Sequence, residues 1–389
     1  MISFDEALAI IRDAAKPLGS ERIALADAAE RVLAAPVIAR IDSPRSNVSA
    51  MDGYAVRDDD RVAWRRVGVS YPGTPFTGTT DIGECVRIFT GAPLPQGLDR
   101  VVIQEMVETE GEAVRLVGAH SEGRHIRLRA SDFAIGELLV PAGRRLDPRA
   151  LVAVAGADQA DVEVHRRPMV AVIGSGDELV DPGSAQADPS TIPDSLSLAL
   201  AASVVRWGGQ GGGREQVRDD QAAFTAAAQR TLARADLVVV TGGASVGEKD
   251  YAKSVFGALG LELLFSKVAM KPGKPVWCGR IGERLVLGLP GNPTSAMVTA
   301  RLFLAPLLAG LSGEECGLAW KRSTLLAPLD PCGDRETFVR ARMEEGGVVP
   351  LDDQVSGAQR ALVDADVLIR RRPGSPALAA GSAVDILGF

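Results

Sequence analysis

The amino-acid sequence predicts a multidomain α+β and α/β chain organised around a parallel sheet with helices on both faces. Three observations carry this. Between about residues 167 and 312, short valine-rich runs alternate with helix-patterned stretches, as in repeated strand–helix–strand units. Between 41 and 139 the texture changes to short strands separated by Gly, Pro and Asp. After Gly313 it turns strand-like again. The expected division is a small helical domain (1–40 with 140–166), a β-rich inserted domain (41–139), a central α/β domain (167–312) and a C-terminal β domain (313–389).

Each element has a local reason. Ser3 and Glu6 are spaced as a capping box, and Phe4, Ala7, Leu8, Ile11, Ala15 and Leu18 follow at helical spacing. A second helical piece is expected from about Leu25 to Leu33, ending before Pro36. In the insertion, 85–89, 100–103 and 113–117 read as strands, and a helical piece returns over 146–155. In the central domain 169–173, 237–241, 261–265, 275–277 and 285–287 read as strands. Residues 195–207, 222–233 and 293–311 read as helices, the last with Pro293 suited to its first turn. The glycine-rich stretch 208–213 is expected to be a surface turn. Strands at 338–342, 365–369 and 383–387 complete the chain.

Composition narrows the function. At 389 residues the chain exceeds one ordinary core. A formal net charge of −7 argues against a general nucleic-acid binder, which needs a basic face to displace counterions. Four cysteines without a C-x-x-C pair and only three histidines point away from a zinc site, a disulfide framework or a Ser-His-Asp triad. Any metal would sit on carboxylates, which favours Mg2+ as cofactor. The N-terminus lacks a basic-then-apolar signal, and no apolar run is expected to span a membrane, so the expected location is a reduced cytoplasm.

The candidate site lies where loops leave the strands of the central sheet, since ligands in open parallel sheets bind at the strand C-termini. The loop after 237–241 holds Thr241, Gly242, Gly243, Ser245 and Gly247, whose amides and hydroxyls suit an oxyanion, and then Asp250. Gly174–Glu178 contributes Ser175, Gly176, Asp177 and Glu178, and Pro290-Gly291-Asn292-Pro293 lies between a strand and the last helix. Lys267, Lys271 and Lys274 suit phosphate, whereas Asp177, Glu178, Asp219 and Asp250 suit magnesium; a phosphorylated ligand with magnesium reconciles the two sets. Asp219 or Asp220 could equally cap the helix running to Ala233. Gly or Pro in any one of these loops could simply build a turn.

Six stretches, in order, resemble the molybdopterin molybdenumtransferase family, which includes the E domain of gephyrin. They are Ser-Ala-Met-Asp-Gly-Tyr-Ala (49–55), Arg-Ile-Phe-Thr-Gly-Ala-Pro-Leu-Pro (87–95), Gly-Asp-Glu-Leu (176–179), Gly-Gly-Ala-Ser-Val-Gly-Glu-Lys-Asp-Tyr (242–251), Lys-Pro-Gly-Lys-Pro (271–275) and Gly-Leu-Pro-Gly-Asn-Pro (288–293). The resemblance implies a homodimer, a central three-layer α/β domain similar to molybdopterin adenylyltransferase, and a C-terminal β-barrel-like domain. It implies magnesium-dependent insertion of molybdate into adenylyl-molybdopterin with release of AMP. By matching position it implies a functional set of Asp52, Thr90, Asp132, Glu178, Asp219, Asp250, Lys267, Lys271 and Ser356, with the insertion's residues able to complete a partner's cleft. It also places Asp194 and Ser195 near the pterin cleft, with the adenylyltransferase as a possible protein partner. Departures are visible. The family usually has Asp-Ser-Asn where this chain has Asp194-Ser195-Leu196, so one amide is missing there. It usually has Gly-Glu-Asp where this chain has Ala130-Ser131-Asp132, and an aromatic is lacking in 44–49. Two rival readings are a molybdopterin adenylyltransferase and a non-catalytic dimeric scaffold of the same fold.

Overall fold

A computed structural model describes residues 1–242 and 251–389. The chain divides into two compact units: one comprising 1–21, 30–34 and 163–389, the other 22–29 and 35–162.

In the first unit, alternation of side chains along the strands builds a three-layer sandwich. Val170 and Val172 face one way and join Leu200, Val204, Val298 and Leu302; Ala171 and Ile173 face the other way and join Phe224, Ala227, Val255 and Phe256. The six strands run in the order Gln210–Val217, Met169–Ser175, Leu237–Thr241, Arg284–Leu289, Trp277–Ile281, Glu262–Phe265. The first four are mutually parallel, as predicted. The sheet as a whole is mixed, because Trp277–Ile281 runs antiparallel to both of its neighbours. The cause is a two-residue hairpin at Gly282-Glu283, where Gly282 has φ +57° and Ile281 pairs with Arg284. The glycine-rich stretch is also corrected: 210–217 is the edge strand rather than a surface turn.

Helix Phe4–Ala14 forms where expected. The Ser3 hydroxyl accepts from the Glu6 amide at 3.2 Å and the Glu6 carboxylate from the Ser3 amide at 2.8 Å. It does not belong to a helical domain. Phe4, Ala7 and Ile11 are buried in the α/β core, with the Phe4 ring 5.7 Å from Phe303 and 4.8 Å from Phe338. The second helical piece shrinks to one 3-10 turn, Leu25–Asp27, since Leu33 pairs as a bridge with Val164 instead. The helix at 293–311 is long and apolar enough to cross a membrane, contrary to expectation. It is 78% buried among the core residues and serves as the central packing helix.

The C-terminal strands pair in the order Met270–Lys271, Glu336–Glu344, Val367–Arg371, Ala383–Gly388, Lys321–Thr324. Gly347–Pro350 pairs with Glu336–Glu344, and Leu325 bridges to Val348. Val339, Ala341, Ile369 and Ile386 form this sheet's own core, while the alternate residues Phe338, Leu368 and Leu387 pack into the α/β core. The C-terminal region thus takes a strand from before residue 313 and shares a core with what precedes it.

In the second unit, a six-stranded sheet runs Arg100–Ile103, Gly53–Val56, Glu84–Ile88, Ala63–Ser70, Ala113–Leu116, Val107–Glu110, in agreement with the β-rich reading. Helix Pro148–Gly156 belongs to this unit and is capped by Asp147.

Because Phe4 is fully buried between two aromatic rings, Phe4→Ala should destabilise the first unit by about 3–5 kcal/mol. Urea unfolding followed by tryptophan fluorescence should show the shift; an unchanged midpoint would mean that the helix is not part of this core.

Candidate functional site

The pairing register aligns the mouths of three loops. Gly174 pairs with Thr241 and Thr241 with Leu289, so the chains leaving these parallel strands emerge at one level. There lies a cavity of about 580 Å³ lined by Ser175, Glu178, Asp194, Ser195, Thr241, Gly242 and 290–293, with Gly357 and Gln359 on the C-terminal side. Gly242 is required at the turn. Its φ is +80°, and a Cβ there would come within 2.2 Å of the Ser175 carbonyl oxygen.

Polar groups around the cavity are held in place. Asp194 caps helix Ser195–Arg206 by accepting from the Ser197 amide at 3.0 Å. The Ser175 hydroxyl donates to Asp219 Oδ1 at 2.9 Å, and the Asp219 amide donates to Asp177 Oδ1 at 3.1 Å. Asp220, not Asp219, caps the next helix by accepting from the Ala223 amide at 2.7 Å, which leaves the Asp219 carboxylate beside the cavity-lining Ser175. Glu178 folds back over Gly176, where an added Cβ would meet its Oε2 at 2.7 Å. Asn292 Nδ2 donates to the Ser356 hydroxyl at 3.2 Å, so Ser356 buttresses the 290–293 loop. Pro293 lines the cavity and opens the long helix; it has no N–H, and the next amide, that of Thr294, donates to the Ser356 carbonyl at 3.2 Å, tying the helix start to the C-terminal segment.

Other predicted residues are placed elsewhere. Lys267, Lys271 and Lys274 are exposed, and none lines this cavity. Lys271 opens instead onto a second cavity of about 1000 Å³ in the C-terminal sheet, with Arg335 and Arg371. Gly243, Ser245, Gly247 and Asp250 lie outside the described residues. Among the described residues no three carboxylate, histidine or cysteine groups form a metal cluster. Asp177, Glu178 and Asp219 still fit magnesium, because that ion takes one or two carboxylates and completes its shell with water and phosphate oxygens.

In the second unit Asp52 and Thr90 meet. Asp52 Oδ1 accepts from both the Thr90 amide and the Thr90 hydroxyl, each at 2.8 Å. The amide bond first, then the hydroxyl and the charge of Arg87, hold the Asp52 carboxyl below its ordinary range. Arg87 lies over the rings of Tyr54 and Phe89, at 5.0 and 4.7 Å, and donates to Gln104. Asp132 sits on a separate turn with Ser43, 3.4 Å from the Ser43 hydroxyl. Sequence reasoning did not pick out Ile192, Pro193, Gly357 or Gln359 as lining residues, because they belong to no motif; Leu179 and Pro275 lie within matched stretches but carry no chemistry that marks them as lining residues.

An α/β domain with its cavity at the strand C-termini has the architecture of a small-ligand-binding domain. The chain matches the family described as "MoeA N-terminal region (domain I and II)" over residues 2–157 and "Probable molybdopterin binding domain" over 171–310. It matches "MoeA C-terminal region (domain IV)" over 322–389. It is 35% identical to a molybdopterin molybdenumtransferase of Nostoc sp., covering 79% of this chain and 74% of that one. It is 32% identical to the one of Synechococcus elongatus, covering 95% and 94%. The crystal structure of a molybdopterin biosynthesis MoeA protein from Pyrococcus horikosii superposes with a TM-score of 0.85 at 29% identity, covering 100% and 99%. The chain belongs to the molybdopterin molybdenumtransferase family, and is a transferase of molybdenum cofactor biosynthesis.

Thr90→Val removes one of the two donors to Asp52 while keeping the amide, so the Asp52 pKa should rise part of the way to its ordinary value. The folded-state pKa being depressed, the bond to Thr90 persists above the ordinary carboxylate range and is lost as pH falls through the lowered value. Carbon-13 NMR titration of the carboxyl reads this directly; an unmoved pKa would remove the hydroxyl as a cause.

Proposed function

We propose that the chain inserts molybdate into adenylyl-molybdopterin in a magnesium-dependent reaction that cleaves the phosphoanhydride and releases AMP. The observation that carries this reading is the cavity at the aligned strand ends, where the Gly242 turn, the Ser175, Ser195 and Thr241 residues and the Glu178 carboxylate meet, with Asp219 held against Ser175. Its size suits a ring-bearing ligand.

The pterin enters between helix Ser195–Arg206 and the 356–359 segment, and its phosphate turns toward the Gly242 turn and the Ser175 and Thr241 residues beside it. Glu178 and Asp219, with Asp177 behind, would hold magnesium, which when bound lends positive charge to the anhydride oxygens. Ser175 keeps the Asp219 carboxylate oriented through its 2.9 Å bond. Asp250 is assigned to the same acidic set, to orient water or molybdate. Lys267, Lys271 and Lys274 stand outside the cavity and contribute only long-range positive charge to the approach of molybdate. Asp52, kept ionised by Thr90, is the insertion's contribution, with Asp132 beside it in role.

A cytoplasmic homodimer is part of the proposal. On the second unit Ile38 and Leu138 are cross-strand partners, and both are exposed, as are Ile135 and Val152, a surface suited to burial against a second copy.

With adenylyl-molybdopterin, magnesium and molybdate, the purified protein should release AMP in a molybdate-stimulated manner. Glu178→Gln and Asp219→Asn should each slow it by about 10²-fold with the fold intact. No molybdate-stimulated AMP would refute the reaction; adenylylation of free molybdopterin by ATP would point to the adenylyltransferase instead.

A further inference from the structure

One wall of the cavity is apolar where the helix at 195–206 begins. Leu196, in the first turn of helix Ser195–Arg206, lines the cavity but is only 8% exposed and packs into the α/β core. A leucine offers a ligand ring no hydrogen bond. The pyrimidinone edge of a pterin presents adjacent donors and acceptors, which, once out of water, lose binding energy if they stay unpaired.

A primary amide approaches the same spot from the other side. Gln359 lines the cavity from the C-terminal segment, and its Nε2 lies 3.4 Å from the hydroxyl of Ser195, the residue next to Leu196. That contact is long and weak, so the amide is readily exchanged for a better partner. The neighbouring polar side chains are each held by a shorter bond. Asn292 donates its amide to Ser356, and Asp194 accepts from the helix amide at Ser197. The segment that carries Gln359 is fixed rather than loose: the Thr294 hydroxyl donates to the Ala358 carbonyl at 3.0 Å, and the Thr294 amide to the Ser356 carbonyl at 3.2 Å.

We infer that Gln359 reads the pterin edge in this chain, supplying from the C-terminal segment an amide that the apolar Leu196 cannot offer. A carboxamide holds an acceptor oxygen and donor N–H groups side by side, which matches the adjoining donor and acceptor of a pyrimidinone edge in two parallel hydrogen bonds. Gln359 is thus a substrate-binding and specificity residue, with no proton or group transferred through it. The inference rests on the reading of this cavity as the molybdopterin site.

The test is equilibrium binding of molybdopterin to the full chain, read by pterin fluorescence. Gln359→Leu keeps comparable bulk and removes both hydrogen bonds; it should weaken binding about ten-fold. Gln359→Glu, which loses the N–H donors, should weaken it as well. Leu196→Asn in the Gln359→Leu background should restore affinity toward that of the parent chain. Gly357→Phe is the control for the cavity itself: Gly357 lines the cavity and a Cβ there meets nothing within 4 Å, so a bulky side chain fits at the rim without clash and is expected to obstruct the ligand. Thermal melts check that each variant is folded. Loss of binding in Gly357→Phe with unchanged binding in Gln359→Leu would overturn the role of Gln359 alone. Unchanged binding in Gly357→Phe would overturn the cavity assignment and, with it, this inference.

Discussion

The in-register pairing of three parallel strands is the constraint on which the site depends. Gly174, Thr241 and Leu289 lie side by side across the sheet, so the segments that follow them open into one space rather than three. Both faces of these strands are buried, which pins the register, since a slip of one residue would exchange the two cores. The closeness of Gly242 to the Ser175 carbonyl follows from that alignment, as does the reach of Ser175 to Asp219 on the loop after the edge strand.

A second constraint closes the cavity from the C-terminal side. Arg340 is almost fully buried, and its guanidinium finds its acceptors at one end only, Nε being left without a partner among the described residues. It donates to the Asp353 carbonyl at 2.8 Å, while Gln354 bonds the Arg340 backbone at both its amide and its carbonyl. Burial pushes the Arg340 pKa down. The chain is thereby tied down just before Ser356, Gly357 and Gln359, so a charged residue in the β core positions part of the ligand cavity. Phe4 and Phe338 reinforce this by joining the C-terminal sheet to the α/β core.

Much of this was legible in the sequence, and the misses have physical causes. Valine-rich runs such as 237–241 can be little else than buried strands, and glycine, proline and acid residues at their ends marked Ser175, Glu178, Thr241, Gly242 and 290–293 as cavity residues. Capping chemistry was readable at Ser3–Glu6 but ambiguous at Asp219-Asp220, because adjacent acids differ only in backbone position; three dimensions gave the cap to Asp220. Periodicity located helix Phe4–Ala14 without revealing its partner, since an apolar stripe does not say against what it packs. The 210–217 strand was hidden by glycines that suggest a turn in isolation but are tolerated at a sheet edge. Lys271 was assigned to the ligand cleft by its neighbours in sequence, whereas its strand pairs into the C-terminal sheet and carries it to the other cavity. Gln359 belongs to no motif and becomes visible only when the C-terminal segment is folded against the helix at 195–206.

The central claim is that three segments distant in sequence form one molybdopterin cavity. Amide hydrogen exchange of the full chain with and without adenylyl-molybdopterin tests it most directly. Simultaneous protection is expected at 241–242, 290–296 and 356–359. Protection at only one of these segments, or at none while the ligand is bound, would contradict it.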